Sequence, residues 1–336
     1  MSVIDTTNSI VSTNISAGGR RNLIQAPFQV AASSQYVYAT TANGKVIVIN
    51  PNTDTVVKTI TGFQDAWGVA VSPNGGTAYV TNNEIKRAPA GGLFGGPLDP
   101  GRGPDNRVSV IDAATNTVTG TITVGYGPKG IAASPDGNAI YVANSCDSRK
   151  SCSATTGSLS VIDTNPNDGT AVNTVIHTLT FDSQAIAVAV SPNSQAAYVT
   201  TNGGTGPTGT VKVIDTANAT VTKTISVGVN PTAVVVTADG STAFVANFGS
   251  NTVSVIDTAT GTVTDTIEDI SNPNGLALVG SYLYVTNTNG GPSHQYQGTV
   301  TVIPTVNTAS KGPDNQYTVL GTIGVGNDPI GIAAWT

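Results

Sequence analysis

The chain has 336 residues, of which 39% are apolar and only 10% are charged, and its formal net charge is −6. This composition can fill a sizeable core, and it excludes a disordered chain, which combines high net charge with few β-branched residues. The acidic balance disfavours a general binder of polyanions, and the sequence shows no apolar run long enough to predict a transmembrane helix.

The N-terminal sequence and the composition predict where the protein works. Met1 runs directly into a predicted strand, without the basic region and apolar stretch of a signal peptide. The scarcity of Lys and the abundance of Asn and Thr are typical of a mature extracellular chain. We expect an extracellular, cell-surface or periplasmic protein, with a cytoplasmic one as the alternative.

A phrase ending in "VID" recurs along the chain and predicts its organisation. It begins as "SVID" at 2–5 and continues as "VIVIN", "VSVID", "LSVID", "VKVID", "VSVID" and "VTVIP", ending at Asn50, Asp112, Asp163, Asp215, Asp257 and Pro304. Self-similarity at such a period indicates a propeller or a solenoid. Each unit contains four short strand-like runs separated by turn phrases such as "SPNG" and "SPDG", which predicts the blades of a propeller.

Further motifs resemble a known family. "YVTN" stands at 79–82 and 284–287, "YVAN" at 141–144 and "FVAN" at 244–247, and "GVAVSPNG" and "GIAASPDG" precede the first "YVTN" and the "YVAN". These motifs resemble the YVTN-family β-propeller repeat. The resemblance implies that the "GIAAS" strand lines a central channel, with "YVTN" second, "VID" third and the Thr-rich strand outermost. Members of that family include surface-layer and adhesion modules, nucleic-acid binders, lactonases and subunits of redox enzymes.

The predicted fold is therefore an all-β, seven-bladed β-propeller that forms one domain over residues 1–336. Seven inner strands can be counted, starting near Phe28, Trp67, Gly130, Ala185, Thr232, Gly275 and Ile330. The N- and C-terminal strands are expected to close the ring in one shared blade. No "YVTN" phrase follows "GIAAWT", so we expect this closing blade to have three strands and to be a possible place for strand-donating self-assembly.

Loop lengths predict which face binds a ligand. The longest insertions follow the "YVTN" strands and the outermost strands, so they share one face of the disc, and long loops in compact domains are usually functional. The candidate ligand-binding residues on this face are Arg20, Arg21, Trp67, Tyr126, Lys129, Arg149, Asp182, His294 and Asp328. The many cations favour an anionic ligand, although solvated charges are also ordinary in surface loops.

The two cysteines, Cys146 and Cys152, lie in one short polar loop. We expect them to form a disulfide, which would place the protein in an oxidising compartment, with two free thiols as the alternative. Their spacing does not suit zinc, and we expect neither a metal nor a cofactor.

The residues favour a secreted or cell-surface binding module for an anionic small molecule, a glycan or a protein. No catalytic set is recognisable, so catalysis is not expected. One alternative is a lactonase- or lyase-like propeller enzyme that uses carboxylates and His294 at the channel mouth. A second alternative is a single-stranded nucleic-acid binder, which the acidic pI of about 4.7 and an aromatic content of 5% oppose.

Overall fold

The computed structural model describes residues 1–8, 10–15, 27–41, 43–83, 105–146, 156–167, 169, 171–202, 208–288, 298–305, 317–326 and 329–334. Within these residues the chain is all-β and contains no helix. It begins with an antiparallel hairpin of β1 (Ser2–Asp5) and β2 (Ile10–Asn14).

Six antiparallel sheets of four strands follow, here called blades 1 to 6. Blade 1 contains β3 (Pro27–Ala32), β4 (Val37–Thr41), β5 (Lys45–Asn50) and β6 (Thr55–Thr61), and blade 2 contains β7 (Ala66–Val71), β8 (Thr77–Asn82), β9 (Arg107–Asp112) and β10 (Thr117–Thr123). Blade 3 contains β11 (Tyr126–Ala133), β12 (Ala139–Cys146), β13 (Gly157–Asp163) and β14 (Thr174–Phe181), and blade 4 contains β15 (Gln184–Val190), β16 (Ala196–Asn202), β17 (Thr210–Asp215) and β18 (Thr220–Ser226). Blade 5 contains β19 (Pro231–Val236), β20 (Thr242–Asn247), β21 (Thr252–Asp257) and β22 (Thr262–Ile267), and blade 6 contains β23 (Pro273–Val279), β24 (Tyr282–Asn287), β25 (Thr299–Pro304) and β26 (Gly321–Gly324).

The strand sequences follow from their places in a blade. The second and third strands, such as β8 and β9, are buried on both faces, which explains their nearly continuous Val, Ile, Ala and Tyr residues. The fourth strands are Thr-rich and mostly exposed, as in β10, where Ile122 is the one buried residue. β-branched residues suit such a strand because they pack well on a pleated surface.

Apolar clusters fill the spaces between neighbouring blades. One cluster joins Tyr38 and Val48 of blade 1 to Val80 and Ile111 of blade 2, and equivalent clusters join each later pair of blades. Each of these side chains is removed from water by the next blade, which stabilises the assembly by burial of apolar surface. The core is therefore divided among the interfaces between blades.

The predicted count of seven blades is not observed, because the described residues form six four-stranded blades and one two-stranded sheet. The hairpin β1–β2 nevertheless repeats the outer half of a blade. Its register shifts between Val3 and Ile4, at the point where β5 and β6 shift between Val48 and Ile49. Met1 and Val3 pack against blade 1, and Ile4 packs against blade 6.

The expected three-stranded closing blade is likewise not observed among the described residues. Segment 329–334 lies between the inner strands of blades 6 and 1, where Thr286 donates a hydrogen bond to the Ile330 carbonyl and Gly331 lies against Gln29. No backbone hydrogen bond joins this described segment to β1, which pairs with β2. In the complete blades a second strand lies between the inner strand and the third strand. β1 has the register of a third strand, so it does not lie directly beside the inner segment 329–334.

The connections fall on two faces, as the sequence predicted. The turn between the first two strands bonds to the turn between the last two, for example from Ala113 N to Gly76 O at 3.0 Å. We call this the turn face. On the opposite side the remaining connections meet, for example from Phe248 N to Asn230 O at 3.0 Å. We call this side the long-loop face.

Candidate ligand site at the channel ring

The inner strands of successive blades contact one another and form the wall of a central channel. In all six blades the register of the inner strand shifts at the same place, near the end of the second strand. In blade 2, for example, Ala66 pairs with Asn82, and the next regular pair is Val69 with Val80. Such bulges redirect side chains and occur often beside binding sites.

In each blade, an inner-strand Pro or Ala pairs with a residue near the end of the second strand, and the residue that follows this Pro or Ala lies in the bulge. These residues are Phe28, Trp67, Lys129, Ile186, Thr232 and Asn274, and Ile330 takes the equivalent place in segment 329–334. We call this set the channel ring. All its members are partly exposed, whereas flanking residues such as Ala66 and Gly68 are buried. The ring side chains therefore face the water of the channel at its long-loop end.

Hydrogen bonds between blades fix the backbone of the ring. Thr40 donates to the Trp67 carbonyl at 2.5 Å, and Thr81 donates to the Lys129 carbonyl at 2.9 Å. Each donor lies on a second strand and is fully buried. Thr286 of blade 6 donates in the same way to the Ile330 carbonyl, so blades 1, 2 and 6 each fix one ring carbonyl and preorganise this part of the ring.

Three consecutive ring positions form a connected cluster. The rings of Phe28 and Trp67 are stacked, with centroids 4.5 Å apart and an interplanar angle of 27°. The Lys129 Nζ atom lies 5.9 Å from the Trp67 ring centroid, within the range of a cation–π contact. Burial lowers the pKa of the Lys129 ammonium below its usual value. Among the described residues no carboxylate pairs with this ammonium group.

The rest of the ring is apolar or hydrogen-bonding. Ile186 and Ile330 are aliphatic, and the Thr232 hydroxyl donates to the Asn274 carbonyl at 2.9 Å. Lys129 is thus the one titratable group of the seven ring positions. A ring of this kind can hold a single negative charge next to an apolar body.

Two of the predicted site residues, Trp67 and Lys129, are brought together by the ring. Tyr126 lies at the start of β11, paired in register with Cys146, and contributes no ring position. Asp182 lies outside the ring, with its side chain 83% exposed and 3.3 Å from Lys212, which lowers its pKa. Five further predicted residues lie outside the described residues: Arg20, Arg21, Arg149, His294 and Asp328.

The predicted cationic character of the long-loop face is reduced by local pairing. The Arg107 guanidinium donates to both carboxylate oxygens of Asp105, at 2.9 Å and 2.7 Å, which raises the Arg107 pKa. This charge is compensated within its own loop. Lys129 differs because the described part of the chain gives it an aromatic neighbour and no anion.

One member of the predicted cysteine pair, Cys146, lies among the described residues. Cys146 is 2% exposed and is not a free thiol. Its sulfur occupies the space beside Gly127, where a Cβ atom would come within 2.4 Å of Sγ. Cys152 lies outside the described residues, so the pairing of the two cysteines stays a prediction.

Sequence reasoning did not assign five of the ring residues to the site: Ile186, Thr232, Asn274, Ile330 and Phe28, the residue that stacks on Trp67. The Phe28 segment "PFQVAAS" lacks the Gly that follows Trp67 and Lys129. The signal that could have found Phe28 is the position directly after a Pro or Ala near the start of each inner strand, where the register shifts. We note also that the described residues contain no group of three or more His, Cys, Asp or Glu able to hold a metal, and that no described helix could span a membrane.

Comparisons with known proteins agree with this architecture. Residues 27–189 match the Choice-of-anchor I domain. A 73-residue part of the chain is 47% identical to the PE-PGRS family protein PE_PGRS18 of Mycobacterium tuberculosis, and it spans 22% of this chain but only 11% of that protein. A chain of hydrazine synthase from Kuenenia stuttgartiensis has a TM-score of 0.71, with 20% identity over 96% of this chain and 93% of that chain. At this identity the similarity shows the propeller fold alone, and the resemblance to the YVTN repeat stays a prediction.

Proposed function

We propose that this protein is a secreted or cell-surface propeller that binds a ligand at its channel ring and catalyses no reaction. The observation that carries the proposal is the ring itself, a set of partly exposed side chains placed by the same bulge in every blade. The match of residues 27–189 to the Choice-of-anchor I domain supports an anchoring or binding role at a cell surface.

The chemistry of the ring favours binding over catalysis. General acid–base catalysis needs groups that exchange protons in positions close to the reacting atoms, and Lys129 is the one titratable side chain among the ring residues. Asp182, a carboxylate predicted for the long-loop face, is instead paired with Lys212. The ring therefore provides a ligand with apolar surface and one positive charge.

A site for single-stranded nucleic acid receives less support. Such sites combine a continuous basic groove with a series of stacking aromatic side chains. Arg107 is neutralised by Asp105, and Lys212 by Asp182. The described aromatic residues of the ring are also stacked on each other rather than spaced along a track.

The test makes the same Ile→Trp substitution at a ring position and at a control position outside the ring. Ile186→Trp fills the channel ring, and Ile176→Trp makes the same change on the outer strand β14, where the residue is 46% exposed. Both variants and the wild type are applied to a panel of neutral and acidic glycans, small carboxylates and extracellular proteins. We expect the wild type and Ile176→Trp to bind the same panel member and Ile186→Trp to lose it.

The same preparations are assayed for turnover of lactones, phosphoesters and glycosides. Enzyme-like turnover that disappears in Ile186→Trp but persists in Ile176→Trp would replace the binding proposal with the enzyme alternative. Equal binding by both variants would move the binding site away from the ring. A thermal melt of each variant confirms that the comparison is made between folded proteins.

A further inference from the structure

The Lys129 ammonium group is an unusual component of the channel wall. It lies on β11 between Trp67 and Ile186 of the neighbouring blades, it contacts the Trp67 ring, and it forms no ion pair with a described carboxylate. A partly desolvated ammonium without a counter-ion is unfavourable unless a partner compensates the charge. Its position in the channel leaves it accessible to a molecule that enters from the long-loop face.

The strands packed against Lys129 supply no such partner. β7, β8, β12 and β15 contain no Asp, Glu, Arg or further Lys, and their titratable side chains are Tyr79 and Tyr141, because Cys146 is not a free thiol. Burial raises the pKa of both tyrosines, so they are neutral in the ordinary pH range. β9 adds Arg107, which Asp105 neutralises, and Asp112, which accepts hydrogen bonds from Thr115 in its own turn.

The remaining ring residues indicate the chemistry of the ligand body to which the negatively charged group is attached. Phe28, Trp67, Ile186 and Ile330 give an apolar lining on both sides of Lys129, and Thr232 and Asn274 give polar groups on the far side. From this juxtaposition we infer that the ring is a binding site for a carboxylate carried on a six-membered ring, with the carboxylate on Lys129 and the ring against the apolar lining. This inference rests on the proposed function and names its ligand class. An aromatic acid and a sugar acid share this chemistry, and the experiment separates them.

Binding of this kind is linked to pH. The carboxylate pairs with the protonated amine, so affinity is constant while Lys129 is charged and falls as the pH rises through its pKa in the free protein. That pKa is lowered by burial from the usual 10.5, so the fall starts below the value of an exposed lysine. A bound anion favours the charged form, so binding is accompanied by proton uptake at a pH near and above the free pKa.

The experiment uses Trp67 as its reporter. The chain has two tryptophans, so Trp335→Phe leaves Trp67 as the single one. In this background, fluorescence is titrated with benzoate and glucuronate, and with benzamide and glucose as neutral counterparts. We expect saturable signals with the carboxylates, and at least about tenfold weaker binding of the neutral compounds, as for the loss of a charge-assisted contact. The tighter of the two carboxylates identifies the aromatic or the sugar source.

Three variants assign the effect to Lys129. Lys129→Met should weaken carboxylate binding at least about tenfold. Lys129→Arg should retain binding and keep it at the alkaline pH where the wild type loses it, because a guanidinium stays charged. Lys58→Met, on the exposed outer strand β6, where the ammonium group donates to the Thr115 carbonyl, should behave as the wild type.

The outcomes separate this inference from the proposal on which it rests. Carboxylate binding that is unchanged in Lys129→Met, or no saturable signal with either carboxylate, overturns the inference. A panel ligand that is lost in Ile186→Trp but bound equally by Lys129→Met leaves the ring as a binding site and removes only the carboxylate. Loss of pH dependence in Lys129→Arg, together with loss of binding in Lys129→Met, supports it.

Discussion

Tyrosine hydroxyls connect neighbouring blades at the level of single residues. Tyr38 donates to Asn116 Oδ1 at 2.8 Å, and Tyr79 donates to Asn173 Oδ1 at 3.0 Å. Both asparagines lie in the turn between the third and fourth strands of the next blade, with φ of 52° and 64°. Asn tolerates this left-handed conformation better than most residues, so one side chain serves both the turn and the contact between blades.

Tyr38→Phe should reduce the free energy of unfolding by about 1 kcal/mol at neutral pH, because one buried hydrogen bond is lost. Burial raises the pKa of Tyr38 to about 12, against about 10 in an unfolded chain. The stabilisation from the protonated phenol is complete below pH 10 and declines as the pH rises towards 12. Urea unfolding of both proteins should show their difference shrinking over this range. A difference that stays constant would contradict the assignment.

At the level of strands, glycines allow the inner strands to approach each other. A Cβ atom on Gly130 would lie 2.5 Å from Ala187 Cα and 2.7 Å from the Ile186 carbonyl oxygen, both backbone atoms of the next blade. A Cβ atom on Gly68 would lie 2.2 Å from the Lys129 carbonyl oxygen. These close approaches determine the width of the channel wall, and therefore the spacing of the ring.

Gly130→Ala should destabilise the protein by about 1–3 kcal/mol, the usual range for overpacking against atoms that cannot move away. Gly120→Ala is the matched control, because a Cβ atom there meets nothing within 4 Å. It should be neutral or slightly stabilising, since Ala restricts the unfolded chain. Thermal and urea unfolding of the two variants provide the measurement. Similar stability losses in both would show that the approach of the blades is not the cause.

Repeat phrases predicted the strands better than they predicted the sheets. The "VID" phrase at 2–5 does form a strand, but this strand pairs with β2 in a two-stranded sheet. A repeated phrase identifies one strand of a blade and does not show whether the other three strands are present. Trp67 and Lys129 were predicted for the site because they were assigned to the long-loop face at the channel mouth. Asp182 also precedes an inner strand, yet its side chain points to Lys212, since loop position does not determine side-chain direction. The contact of Phe28 with Trp67 depends on a bulge that sequence spacing does not show.

At the level of the whole molecule, the hairpin β1–β2 completes the circle of apolar clusters. Ile47 and Ile49 of blade 1 are each 2% exposed and share a cluster with Met1 and Val3. Val300 and Val302 of blade 6 share one with Ile4 and Val11. Without the hairpin, the apolar faces of both blades would contact water.

Deleting residues 1–15 should lower the melting temperature, broaden the transition and make the protein prone to aggregate, because two apolar faces become exposed. Light scattering and thermal unfolding provide the measurements. Ile10→Ala serves as the control, since Ile10 lies in the same hairpin but is 55% exposed, and we expect it to behave as the wild type. If the truncated protein melts as sharply and at the same temperature, the hairpin does not complete the ring of clusters.

The common position of residues 1–15 and 329–334 has a mechanical consequence. Both segments lie at one junction, between blades 6 and 1, and both contribute to the cluster around Tyr284 through Ile4 and Ile332. A force applied between the two ends of the chain is therefore borne first by this junction. Optical tweezers should record an initial step of about 50 Å as the hairpin extends, from about 3.4 Å per residue, before any blade opens. Under such a load the protein would therefore yield at this junction while its six described blades stay intact.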